Sequence, residues 1–124
     1  MASRSWRIDE YDELIHVTVA PQAGTLLDTS WLDEVARVKA RLAGPVPRHL
    51  VVDFSECQFF GSSMLETLLH LKRVVEEQGK QLVVCGLTES TAGVLRLARF
   101  DKLVKVAADL QEARKAVVAP PSPH

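Results

Sequence analysis

Residues 50–65 read LVVDFSECQFFGSSML. The run Leu50-Val51-Val52-Asp53-Phe54 is short and nearly continuously apolar, which is how a central strand covered on both faces is written. Seven residues of connection follow, and then the spacing changes. Met64, Leu68, Leu71 and Val75 recur at i, i+4, i+7 and i+11, with Leu65 and Leu69 widening the stripe. That period is an amphipathic helix, and Gly79 ends it. A buried strand feeding such a helix is the start of a β-α-β unit, and the rest of the chain is read outward from it.

Upstream, Asp28, Thr29 and Ser30 offer an N-cap to a helix whose apolar stripe is Trp31, Val35, Val38 and Leu42. Gly44-Pro45 stops it. Before that helix come two strands. Trp6 and Ile8, extending toward Tyr11, begin an edge strand. Leu14, Ile15, Val17 and Val19 form the next, with His16, Thr18 and Ala20 on its other face. The charged run Asp9 to Glu13 suits the hairpin between them, and Pro21-Gln22-Ala23-Gly24 is a turn. Downstream, Gln81 to Cys85 is a second buried strand. Thr88 to Arg99 is a helix capped by Thr88, Ser90 or Thr91, with Val94, Leu95 and Leu97 as its apolar side. Leu103 to Val106 is a short strand. Asp109 to Val118 is the last helix, with Leu110, Ala113 and Val117 inward.

The order is therefore β-β-α-β-α-β-α-β-α. It predicts an α/β domain with a mixed, mostly parallel sheet of about five strands, antiparallel at the start, and about four helices. One domain spans residues 1–118. Residues 119–124 (APPSPH) are too proline-rich to continue a helix and are expected as a short disordered tail.

Composition narrows the function. Fifteen Lys and Arg against 16 Asp and Glu leave a net charge of -1, which argues against a nucleic-acid binder that tracks phosphates with a basic surface. No apolar stretch reaches the roughly 18 residues of a membrane span. The charged N-terminus MASRSWRIDEYDE does not serve as a secretory signal. Cys57 and Cys85 sit in or beside apolar runs and read as small buried residues in a reducing, cytoplasmic setting.

No catalytic constellation emerges. Neither a dinucleotide fingerprint nor a phosphate-binding loop is present. The four His and two Cys show no metal-ligand spacing, so neither a metal nor another cofactor is expected. Ser62 and His70 on one helix stand roughly 12 Å apart along its axis, too far for a nucleophile and its base. The chain is not expected to be an enzyme.

What stands out is Phe59-Phe60-Gly61-Ser62-Ser63-Met64-Leu65, where the connection meets the helix. Gly61 supplies turn freedom and Ser62 serves as N-cap, while Ser63 and Glu66 form the S-x-x-E capping pattern. The same place also suits a phosphate, worth about -1.5 to -2 charges at neutral pH. Free amides and the positive dipole end of the helix stabilise it there. Such a group changes a docking surface without unfolding anything.

These segments, taken in order, resemble the STAS domains of the anti-sigma-factor-antagonist family in their stand-alone bacterial form. The likeness spans roughly residues 6 to 118. It rests on LVVDFS leading into FFGSSML and on LVVCGLTESTAGVLRLARFDKLVKV. In that family a D-S-[ST]-G-L motif carries the phosphoacceptor. The resemblance places Ser62 as phosphoacceptor, Ser63 as the following Ser/Thr and second choice, and Leu65 as the Leu. Asp53 matches the acid that closes the preceding strand, although a hydrogen-bond acceptor at a strand end is the simpler role for it. Gly61 stands where the family has Asp, and Met64 where it has Gly. The resemblance implies partner binding through Gly61, Ser62, Ser63, Met64 and Asp53. It implies an anti-sigma factor that is a GHKL-type serine kinase, and a PP2C-type phosphatase that resets the switch. Two other readings stay open: a scaffold that is never modified, and an accessory subunit of a signalling or membrane-transport complex. The Thr88 to Thr91 segment is a weaker docking candidate beside its role as a helix cap.

Overall fold

The computed structural model describes residues 6–19, 31–57, 60 and 62–118, and at 31, 32, 62, 63 and 118 the backbone alone. The elements run β1 (Arg7–Glu10), β2 (Leu14–Thr18), α1 (Trp31–Leu42), β3 (His49–Asp53), α2 (Ser62–Glu77), β4 (Leu82–Cys85), α3 (Glu89–Leu97), a 3-10 turn (Phe100–Lys102), β5 (Lys105–Ala107) and α4 (Leu110–Val118). The five strands lie in sequence order across the sheet. β1 pairs antiparallel with β2, and every later pair is parallel. This is the predicted mixed sheet, with β3 at its centre. The turn Pro21 to Gly24, the cap at Asp28 to Ser30 and the tail 119–124 fall outside the described residues.

Strand alternation sorts the core onto two faces. Ile15, Val17, Val19, Leu50, Val52, Phe54, Leu82 and Val84 pack with Val35, Val38 and Leu42 of α1, with Met64, Leu68, Leu71 and Val75 of α2, and with Leu95 of α3. Leu14, Val51, Val83 and Cys85 meet Ala113 and Val117 of α4 on the other. The expected grouping of Leu14 with Ile15 is thus corrected: Leu14 shares the face of His16 and Thr18. β2 is buried at all five positions, so apolar character alone does not reveal which way a residue points.

The helix ends follow local chemistry. Gly79 adopts a φ of 76°. The N–H groups of Gly79 and Lys80 donate back to Glu76 and Val75 at 2.9 and 3.0 Å, which satisfies carbonyls that the helix leaves open. At α3, the Thr88 hydroxyl accepts the Thr91 N–H at 3.2 Å and the Thr91 hydroxyl accepts the Thr88 N–H at 2.8 Å. The reciprocal box fixes Thr88 as the cap and buries Thr91.

The C-terminal third departs from expectation in two ways. Leu97 is 90% exposed and not on the inner side of α3. Two residues on from buried Leu95, it lies on the far side of the helix, and Arg99, with a left-handed backbone of φ 60°, turns the chain just after it. The last strand covers Lys105–Ala107 and not Leu103 to Val106. Val104 instead donates to Phe100 at 3.0 Å and is drawn inward beside it.

Candidate functional site at the carboxyl edge of the sheet

β3, β4 and β5 run parallel, so the connections into α2, α3 and α4 all leave from one edge. In open α/β sheets ligands bind outside the carboxyl ends of the strands. Asp53 is the last residue of β3 and is buried. Its Oδ1 accepts the backbone N–H of Ser55 at 2.8 Å. Its Oδ2 accepts from His16 Nε2 at 2.9 Å. Thr18 Oγ1 lies 3.5 Å from the same nitrogen, and Asp9 Oδ2 is 3.8 Å from His16 Nδ1. Burial pushes the Asp53 carboxyl upward, but the Ser55 N–H and the His16 ring outweigh it and hold it below its ordinary value. Asp53 therefore clamps the first residues of the connection to the sheet.

Gly86, just past β4, completes the clamp. Its φ is 72°, and a Cβ there would lie 2.5 Å from Asp53 Oδ1 and 2.7 Å from the Ser55 nitrogen. Only glycine fits both that backbone and that approach. The sequence alone did not single out Gly86, and it placed His16 only on one face of its strand. A glycine immediately after a buried strand signals close backbone approach and was the available clue. Beside them, burial pushes the Cys85 thiol up to about 12, with Asp53 and Asp109 adding to the effect. That leaves it an inert thiol at neutral pH. Cys57 is buried as well.

α2 begins at Ser62, so Ser62 is its first helical residue and not the expected N-cap, and with Ser63 it occupies the first turn, where backbone N–H groups lack helical acceptors. Gly61 falls outside the described residues. Met64 is only 1% exposed and packs in the larger core. This corrects its place in the partner-binding set: it holds α2 to the sheet, because its position on the helix faces inward with Leu68 and Leu71. Asp53 likewise offers no open carboxylate, and it points to the α4 face, opposite Met64. The two residues do not share a surface. In the Thr88 to Thr91 segment only Thr88, Glu89 and Ser90 are exposed.

Among the described residues no group of His, Cys, Asp and Glu could hold a metal ion. None of their helices is long and apolar enough to cross a membrane.

The family described as "Mlab, STAS domain" matches residues 23–107. The chain belongs to the STAS-domain family. Solved STAS structures share its fold. An anti-sigma-factor antagonist (STAS) domain protein from Planctomyces limnophilus superposes with a TM-score of 0.80 at 22% identity, covering 93% of this chain and 99% of that one. An RsbS protein from Moorella thermoacetica gives 0.75 at 20% identity, over 91% and 94% of the two chains. An anti-sigma factor antagonist from Mycobacterium paratuberculosis gives 0.73 at 23% identity, over 93% and 94%. At such identities the likeness speaks for the fold, and the STAS domain described above is that fold.

Proposed function

We propose that this STAS domain is an anti-sigma factor antagonist that works by partner switching, controlled by reversible phosphorylation of Ser62. It is a bacterial, cytoplasmic binding domain and not an enzyme. Unmodified, it binds an anti-sigma factor of the GHKL serine-kinase type and releases a sigma factor. The kinase phosphorylates it, and a PP2C-type phosphatase returns it to the binding state. The observation that carries this reading is the start of α2 at Ser62, on the carboxyl edge of the sheet, where a phosphate gains free amides and the positive end of the helix dipole. The burial of Met64 also softens one departure from the family motif, since a core side chain leaves the docking surface unchanged.

Incubation with the cognate kinase and ATP, followed by mass spectrometric site mapping, tests the reading. Phosphate on Ser62, lost in Ser62→Ala, is the expected result. An active kinase that modifies neither serine defeats it. Gly61 in place of the family acid favours a second reading, an unmodified scaffold or accessory subunit of a signalling or membrane-transport complex, in which Ser62→Ala leaves partner exchange unaltered.

A further inference from the structure

Residues 96–106 read RLARFDKLVKV. Phe100 and Val104 turn inward and are buried, while Leu97, Leu103 and Val106 stay out at 90%, 49% and 47% exposure. They are three of the four exposed large apolar residues among the described ones, Val46 being the other. The 3-10 turn packs on both the end of α3 and β5, which gathers all three along one margin of the domain. Val106 pairs with Val84, so it lies on the face of the sheet that carries α3.

The charges of this segment are as unusual as its apolar groups. Arg96, Arg99, Lys102 and Lys105 are exposed, and none forms an ion pair among the described residues. Arg7, Arg37, Arg41, Arg48 and Arg114, by contrast, each meet a carboxylate. Asp101 is the single acid of the segment. The margin is therefore positive in a chain whose net charge is -1. β5 is also the last strand of the sheet and pairs only with β4, which leaves one row of its backbone groups without a ladder partner.

We propose that this margin docks an extended acidic segment of a partner protein, which adds to the sheet beside β5. The strand edge supplies directional backbone hydrogen bonds, Leu97, Leu103 and Val106 receive alternate apolar side chains, and the four cations meet the acidic ones. A second copy of this chain fits poorly, because edge-to-edge pairing brings the same cations face to face. A bilayer fits poorly too. Among the described residues the exposed large apolar groups are all aliphatic, with no aromatic anchor for the lipid interface, and lipid tails cannot use a strand edge.

A labelled peptide of alternating Val and Glu is the probe, read by fluorescence anisotropy and by amide chemical shifts of the full chain. Binding confined to residues 96–107, with slowed amide exchange along β5, is expected. Arg96→Glu with Lys105→Glu, and separately Leu97→Ser, weaken it by about tenfold or more. Charge reversal at Lys39, Arg73 and Lys80, which also lack carboxylate partners among the described residues, leaves it unchanged. A Val-Lys peptide does not bind. Absent binding, shifts elsewhere, or affinity that survives the Arg96 and Lys105 reversal overturns the proposal. So does sedimentation with phosphatidylglycerol vesicles but no peptide binding, or a dimer that Leu97→Ser abolishes. None of these measurements involves Ser62, so their failure leaves the switching reading untouched.

Discussion

Under α1, α2 and α3 the sheet presents Ile15, Val17, Leu50, Val52, Leu82 and Val84, all aliphatic and all buried. Under α4 the same strands present Leu14, Val51, Val83 and Cys85 together with His16, Thr18, His49 and Asp53. The first face has only burial to contribute. Its contribution is large and indifferent to pH, since burial of apolar area involves no titrating group. The second holds fewer apolar side chains and keeps polar groups that must stay partnered. It spends some stability to fix the geometry of the connection that leads from β3 to α2. The difference teaches that the α2 start is positioned from both sides: Met64 anchors it to the apolar face, and Asp53 ties the chain just after β3 to the polar one.

This contrast can be broken by substitution. Leu71→Ala, on the apolar face, is expected to cost about 2–5 kcal/mol in urea unfolding, with the same loss at pH 5 and pH 8. Gly86→Ala, on the polar side, forces a Cβ against Asp53 and the Ser55 amide. It is expected to cost about 1–3 kcal/mol, and to shift the Ser55 amide resonance, which Leu71→Ala does not. A silent Gly86→Ala in both readouts refutes the clamp.

Asp53→Asn gives the next largest effect. At neutral pH it weakens charge-assisted hydrogen bonds to Ser55 and His16, a loss of about 1–3 kcal/mol. The sign of its pH dependence follows from a carboxyl held below its ordinary value. The stabilisation is present above the unfolded carboxylate range and is lost as the pH falls through the folded value. Wild type and Asp53→Asn are thus expected to differ most near neutrality and to converge in acid. Denaturant midpoints across that range check this, and a constant gap overturns it.

His49 sharpens the comparison with the smallest effect. Its Nδ1 accepts the Gln81 N–H at 3.1 Å, a bond that needs the neutral ring. Burial lowers its proton affinity, and Lys80 adds to this. Because the folded pKa lies below the unfolded one, stability from this group is full above about pH 6.5 and declines as the pH drops below it. His49→Gln is expected to flatten that decline, seen as matched unfolding midpoints at pH 7.5 and pH 5.5. A variant that keeps the wild-type slope refutes the assignment.

Much of this architecture was legible in the chain itself. The apolar run at Leu50 to Phe54, the helical stripe from Met64 to Val75 and the stop at Gly79 are local signals, and each names its element without help from elsewhere. Thr88 was legible as one of three candidate caps, and its reciprocal box with Thr91 singles it out. The site was read less well. Met64 was read as a surface feature because its motif position suggested one, although its place in the helical stripe with Leu68 and Leu71 already pointed inward. Leu97 misled in the opposite sense: it is apolar and three residues beyond Val94, but two residues beyond the buried Leu95, which puts it on the far side of α3.

Periodicity, caps and the succession of strand and helix are properties of neighbours along the chain, and they determined the α/β order and the start of α2 in the neighbourhood of Ser62. Tertiary structure alone decided that His16 reaches across 37 residues to Asp53, that Gly86 closes over the same carboxylate, and that Leu97, Leu103 and Val106 share an outer margin with exposed cations. A strand buried on both sides carries no hydrophobic contrast to tell its faces apart. Which polar groups meet there depends on register between strands distant in sequence, and that is set only when the sheet assembles.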